Sequence, residues 1–164
     1  MSKSIVIAID VWPQTNRVLV ESIIRITNLI KPEAFLLATY GKDGKRPEYQ
    51  NYHPFIKDRI QVYTEELIPE TYKNRDFKSN FTNRHIDKKS LQNILLLEKS
   101  FDFDNIIMMG GAWNQCVHHR SYGIFNLKQA LPHKNIIVNE NCVSPRLNLS
   151  GKETHINGIR FVHV

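Results

Sequence analysis

Ile5-Val6-Ile7-Ala8-Ile9-Asp10 decides the fold: an unbroken apolar, mostly β-branched run closed by an acid. Similar runs follow at Ala34-Phe35-Leu36-Leu37-Ala38-Thr39, Ile106-Ile107-Met108-Met109 and Ile136-Ile137-Val138. A strand with one face in water alternates apolar and polar residues. Runs without alternation belong to strands covered on both faces, as in a parallel sheet. Helical spacing separates these runs. Val18, Val20, Ile23, Ile24, Ile26, Thr27 and Ile30 predict a helix that Pro32 stops. Leu91, Ile94, Leu95 and Leu97 predict a second, with Ser90 as its N-cap. Residues 116–131 predict a third, weakened by Gly123 and ended at Pro132. Strand and helix alternating in this order predict an α/β fold with right-handed crossovers, its parallel strands covered on both faces.

The rest of the chain is placed around that frame as one domain over 1–164, a length suited to a single core. An irregular basic and aromatic insertion spans about 40–89, within which Arg59-Ile60-Gln61-Val62-Tyr63 predicts a strand. The tail, about 153–164, carries Asn157-Gly158 between apolar flanks, a strong short-range hairpin signal. Neither an internal repeat nor a linker-like segment interrupts the sequence.

Composition narrows the function classes. Apolar residues at 41% and charged residues at 23% suit a folded protein rather than a disordered one. Two cysteines are too few for a disulfide scaffold, so a reducing, cytoplasmic setting is expected. No apolar run approaches the roughly 20 residues that span a bilayer, so no membrane partner is expected. The run at Ile5–Ile9 is short and fits a buried strand better than a signal peptide. A net charge of +6 and a pI near 9.4 raise nucleic acid as a partner. The basic residues are nonetheless scattered and interrupted by acids, as in 42–48, so a small-molecule ligand is favoured over nucleic acid.

In open α/β sheets the ligand crevice lies beyond the carboxyl ends of the strands. That singles out Asp10 and the loop Gly110-Gly111-Ala112-Trp113-Asn114-Gln115-Cys116. The paired glycines permit backbone angles closed to other residues. Cys116 falls near a predicted helix N-terminus, where unpaired N–H groups favour a thiolate. A thiol, a carboxylate to take its proton and a lysine to offset charge would make an acyl-transfer site. The bland alternatives are an inert buried cysteine, a turn-forming aspartate and a tight Gly-Gly turn.

Gly110-Gly111-Ala112-Trp113-Asn114-Gln115-Cys116-Val117 resembles the G-(V)-A-T-(D/N)-x-C-V signature of the isochorismatase-like cysteine hydrolases, which include nicotinamidases and related amidohydrolases. Ile5 to Asp10 resembles that family's first strand with its terminal acid. Ser79-Asn80-Phe81-Thr82-Asn83 resembles the S-A-F segment that follows its lysine. Val138 to Ser144 resembles its late V-x-D-A-x-x-S strand end, with Asn141 in place of the acid. The resemblance covers about residues 4–145 and implies a doubly wound, mostly parallel sheet with helices on both faces, a Rossmann-like three-layer arrangement. It implies a catalytic triad of Asp10 as base, Lys73 and Cys116 as nucleophile, with Lys78 as the other lysine candidate. It also implies an oxyanion hole from the backbone N–H groups of Ala112 and Cys116, and a cis peptide between Gly111 and Ala112. Trp12, Gly111 and Trp113 would flank a small-molecule substrate.

The departures shape the expected activity. No D-x-H pair follows Thr39, and His53, His118 and His119 lack zinc-ligand spacing, so no metal and no other cofactor are expected. Nicotinamidase activity is thereby disfavoured, as is vinyl-ether hydrolysis, whose family members lack the cysteine. The reading is a metal-independent cysteine hydrolase of a small amide or related C–N bond, homo-oligomeric as its relatives commonly are. The alternative is an inactive relative used as a small-molecule, protein or nucleic-acid binding module. Its motivation is the departure after Asp10, and the aromatic and basic middle from Tyr40 to Lys73.

Overall fold

A computed structural model describes residues 2–11, 16–38, 55–67, 88–114, 116–119, 122–148 and 154–162. The elements run β1 (Ser4–Ile9), α1 (Arg17–Ile30), β2 (Ala34–Ala38), β3 (Tyr63–Leu67), α2 (Lys88–Ser100), β4 (Asn105–Gly111), α3 (Cys116–His119), α4 (Ile124–Ala130), β5 (Asn135–Ser144), β6 (Thr154–Ile156) and β7 (Ile159–Val162). The strands form one sheet in the order β3-β2-β1-β4-β5-β7-β6. Every neighbouring pair is parallel except β6 with β7.

The apolar runs are continuous because each strand feeds two cores. Ile5, Ile7 and Ile9 of β1 face the layer of α2, α3 and α4, where they meet Ile94, Leu97, Val117, Ile124 and Leu127. Val6 and Ala8 face the opposite layer, where α1 supplies Leu19, Val20, Ile23 and Ile26. Phe35 and Leu37, Ile107 and Met109 follow the same alternation on β2 and β4. Ile7 and Ile23 are wholly buried; burying each such side chain contributes about 1.5–3 kcal/mol. The expected three-layer α/β fold is therefore the observed one. No helix among the described residues is long and apolar enough to cross a membrane.

Local chemistry sets the ends of α1. Asn16 is its N-cap, the side-chain oxygen accepting from the Leu19 N–H at 3.1 Å. Lys31 closes it in the left-handed conformation, its N–H returning to Thr27 O at 2.9 Å, and Pro32 then forbids continuation.

Four expectations need correction. The strand at 59–63 begins only at Tyr63. Residues 55–60 form a helical turn in which Ile56 O accepts from both Arg59 N and Ile60 N. Asn28 of α1 then takes the Arg59 carbonyl and the Gln61 N–H, the backbone groups a strand would have used. Ser90 is not an N-cap, since α2 starts at Lys88. The helix expected over 116–131 is two helices, because Gly123 is extended (φ −80°, ψ 170°) and caps α4 instead of continuing α3. The strand at 136–138 runs on to Ser144, jumping register from Met108↔Val138 to Gly110↔Val143.

The tail hairpin turns at Asn157-Gly158 as its sequence predicts, and β7 also pairs in parallel with β5, extending the sheet.

Gly110 is the tightest point in the sheet. Its φ is +108°, and a Cβ there would sit 1.9 Å from Ile9 O. Gly110→Ala is expected to lower stability by about 3 kcal/mol or more. At Gly158 (φ +76°) the nearest atom is the flexible end of Lys128 at 3.4 Å, so Gly158→Ala should cost only about 1–2 kcal/mol. Equilibrium urea unfolding of the two variants measures both.

Candidate active site

The strand order turns at one place. From β1 the chain moves outward to β2 and β3, then crosses back to β4 on the other flank of β1. The crevice at the carboxyl ends of β1 and β4 is the topological switch point of the sheet, where open α/β folds bind ligands. Asp10 follows β1 there with φ 47°, and its N–H donates to Ala38 O at 3.1 Å. That left-handed turn lifts the carboxylate off the strand line and into a buried position, 5% exposed. Ile9 is in register with Gly110, so the Gly110-Gly111 end of β4 lies alongside it. The chain then passes through Ala112, Trp113 and Asn114 and opens α3 at Cys116. The Cys116 thiol is hydrogen-bonded to Asp10. The carboxylate and the thiol singled out from the sequence therefore meet.

Their protonation follows from three opposing effects. Burial raises the Cys116 pKa first, the negative charge of Asp10 next, and its hydrogen bond to the thiol third; together they push it up to about 12. Hydrogen bonding from the backbone N–H groups of Ala112 and Cys116 pulls the other way. Those are the two donors the family resemblance assigns to an oxyanion hole, and they face the sulfur. The expected dipole-stabilised thiolate is corrected here: α3 is only four residues long, and burial beside a carboxylate outweighs its few N–H groups. At neutral pH Cys116 keeps its proton and rests as a thiol.

Ser144, at the end of β5, ties the loop down. Its carbonyl accepts from Trp113 N at 2.6 Å, and its hydroxyl accepts from Asn16 Nδ2 at 3.2 Å. Gly111 packs so close that a Cβ on it would stand 3.3 Å from Ser144 Cβ. The Gly111–Ala112 and Ser144–Pro145 peptides are both cis. Asn16 thus caps α1 with its oxygen and reaches Ser144 with its nitrogen. Asn16 was missed in the sequence; its place before a periodic helix is the N-cap signal that could have found it, but nothing in the sequence joins it to Ser144.

The late motif also needs correcting. Counted from Val138, its acid falls on Glu140, not Asn141. Glu140 is 2% exposed, with Arg146 Nη2 at 3.7 Å.

The remaining candidates are distributed as follows. The Trp113 ring is half-buried and packs edge-on against His118 (4.4 Å) and Phe161 (5.7 Å). His118 is pushed down to about 4, chiefly by burial, then by the charges of His119 and Lys128, so it stays neutral. Tyr63, one of the aromatic residues considered for stacking, packs on Phe35 at 6.0 Å between centroids. Phe55 lies beneath the guanidinium groups of Arg17 (4.7 Å) and Arg59 (3.9 Å). Trp12, Lys73, Lys78, His53 and the Ser79–Asn83 segment lie outside the described residues. Among the described residues no three His, Cys, Asp or Glu side chains gather as a metal ion would require.

No family model matches the chain, and no curated protein matches it. Among solved structures it is similar to the C-terminal domain of a hydrogenase from Pyrococcus furiosus, at 16% identity over 84% of this chain and 89% of that one. The TM-score is 0.40, a likeness too loose to carry an argument.

Because the Asp10 charge raises the thiol pKa, Asp10→Asn should move it down. The pH midpoint of Cys116 alkylation by iodoacetamide is expected to fall by about one unit or more. Cys142, wholly buried and also held near 12 by burial, should stay unlabelled in both proteins, which peptide mapping checks.

Proposed function

We propose that the chain is a metal-independent cysteine hydrolase of the isochorismatase-like type, acting on a small amide or related C–N bond. The observation that carries this reading is the hydrogen-bonded Asp10–Cys116 pair at the switch point, with the Ala112 and Cys116 N–H groups beside the sulfur. The sequence resemblance is its second support.

In this reading Asp10 takes the thiol proton as Cys116 Sγ bonds to the substrate carbonyl carbon. Attack and proton transfer proceed together, because a free thiolate is costly in this setting. The oxyanion formed is received by the N–H groups of Ala112 and Cys116; one such donor is worth about 3 kcal/mol of barrier. The tetrahedral adduct collapses, the C–N bond breaks, and the leaving nitrogen takes the proton from Asp10. Ammonia or an amine departs, leaving a thioester. Asp10 then removes a proton from water as it attacks the thioester, and returns it to sulfur as the acid is released. A cation near the pair would stabilise its charged forms, and Lys73 is assigned that role, with Lys78 as the alternative.

The test is a panel of small primary amides scored by ammonia release, with intact mass spectrometry after rapid acid quench. Cys116→Ala should abolish both turnover and the covalent adduct. Asp10→Asn should lower turnover by about 10²–10⁴-fold. Lys73→Met should remove activity and Lys78→Met retain it; the reverse result would transfer the role to Lys78. A folded wild-type protein that binds an amide without forming an adduct would leave the binding-module reading in its place.

A further inference from the structure

The outward face of α1 carries a pattern that neither the cores nor the hydrolase reading use. Ile23 and Ile26 point into the sheet and are wholly buried. Val18, Glu21, Arg25 and Leu29 are exposed. Their spacing of three and four residues stacks them on one stripe of the helix, turned away from the sheet. Val18 is 79% exposed and Leu29 64%, so the stripe is apolar at both ends. Its middle is charged, with one acid and one base a single turn apart.

Those two charges are only loosely engaged within the chain. Glu21 has Arg17 Nε at 3.7 Å, an i,i+4 pair with both side chains more than half exposed; such a surface pair contributes little. The Arg17 guanidinium also stands over the Phe55 ring. Arg25 makes no ion pair among the described residues.

The stripe is complementary to itself turned end for end. Val18 and Leu29 lie equally far from its midpoint, between Ile23 and Ile24, and Glu21 and Arg25 nearly so. Against an antiparallel second helix of the same sequence, Val18 therefore falls opposite Leu29 and Glu21 opposite Arg25, each contact occurring twice. At 1.5 Å of rise per residue, Glu21 and the opposing Arg25 stand within about 2 Å of the same height. At 100° per residue, both lean to the same flank of the line through Val18. A two-fold axis perpendicular to the helices keeps that flank on one side, so opposite charges meet there. Residue i meeting j while j meets i is the signature of an isologous contact.

We propose that α1 is the two-fold interface through which this chain pairs with a second copy of itself. The occupant is another copy because the stripe supplies both halves of the complementarity, apolar end to apolar end and acid to base. One exposed helix face is smaller than a standard protein interface, so the dimer is weak and concentration-dependent. The proposal does not rest on the hydrolase reading, since neither Asp10 nor Cys116 takes part.

Sedimentation equilibrium over a range of protein concentrations at low ionic strength is the test. Wild-type protein should show a monomer–dimer equilibrium whose dissociation constant rises as salt is added. Leu29→Glu should raise that constant by about tenfold or more. Glu21→Arg alone sets arginine against arginine, and Arg25→Glu alone sets glutamate against glutamate, so each should dimerise about tenfold more weakly or worse. All three positions are exposed, so melting temperatures should not change. An equimolar mixture of Glu21→Arg and Arg25→Glu should recover the dimer, because in the mixed pair every charge at position 21 faces its opposite at position 25. Cys116→Ala should dimerise as wild type. Wild-type protein that stays monomeric at the highest concentration would overturn the proposal. So would an Arg25→Glu protein that dimerises as wild type, which would place the interface on another face, or a mixture that fails to recover the dimer, which would exclude the antiparallel two-fold arrangement.

Discussion

The structure depends on how closely β4 approaches β1 at Gly110. A Cβ at this position would fall 1.9 Å from the Ile9 carbonyl oxygen, inside any permitted contact, and the +108° φ is one that side chains resist. Because the two strands can close at that point, Ile9 stays in register with Gly110 to the carboxyl edge of the sheet. The left-handed turn at Asp10 and the loop leading to Cys116 then leave the sheet side by side. A wider spacing would separate the carboxylate from the thiol, even with every apolar contact in the two cores retained.

That proximity has an electrostatic consequence that the chain does not relieve among its described residues. Burial and the Asp10 charge both oppose ionisation of Cys116, and two backbone N–H groups oppose them only in part. The proton therefore rests on sulfur. In the proposed hydrolase such a pair would stay quiet until an acceptor carbon arrives, and the same N–H groups would receive the oxygen that becomes negative. Ser144 and Asn16 hold the loop against β5 and α1, so its geometry is a property of the packed sheet rather than of the loop itself.

Much of this was legible in the residues. The runs at Ile5, Ala34, Ile106 and Ile136 are short, rich in strand-forming residues and packed on both faces, so apolar side chains are buried at successive positions. Asn157-Gly158 is a turn because both residues accept positive φ, 52° and 76°. The errors differ in cause, and in one a distant element claimed backbone groups that local pattern had assigned elsewhere. Asn28 of α1 takes the 59–61 backbone, and Gly123 starts a helix that residues 116–131 were expected to run through. At the site, Asp10, Gly111, Ala112 and Cys116 were legible from motif and position. Asn16 and Ser144 were not joined, since no local rule links side chains so far apart in the chain.

The sequence by itself determined the number of early apolar strands, their alternation with helices and the residue types that end β1 and β4, because side-chain periodicity and glycine placement are local properties. Tertiary structure alone decided that β4 returns beside β1 rather than beside β3, that the hairpin joins the sheet through β5, and that the sulfur sits in a setting that keeps its proton. Those outcomes depend on long-range register, on burial and on the field of a carboxylate brought in from another strand, none of which is written in any short stretch of residues.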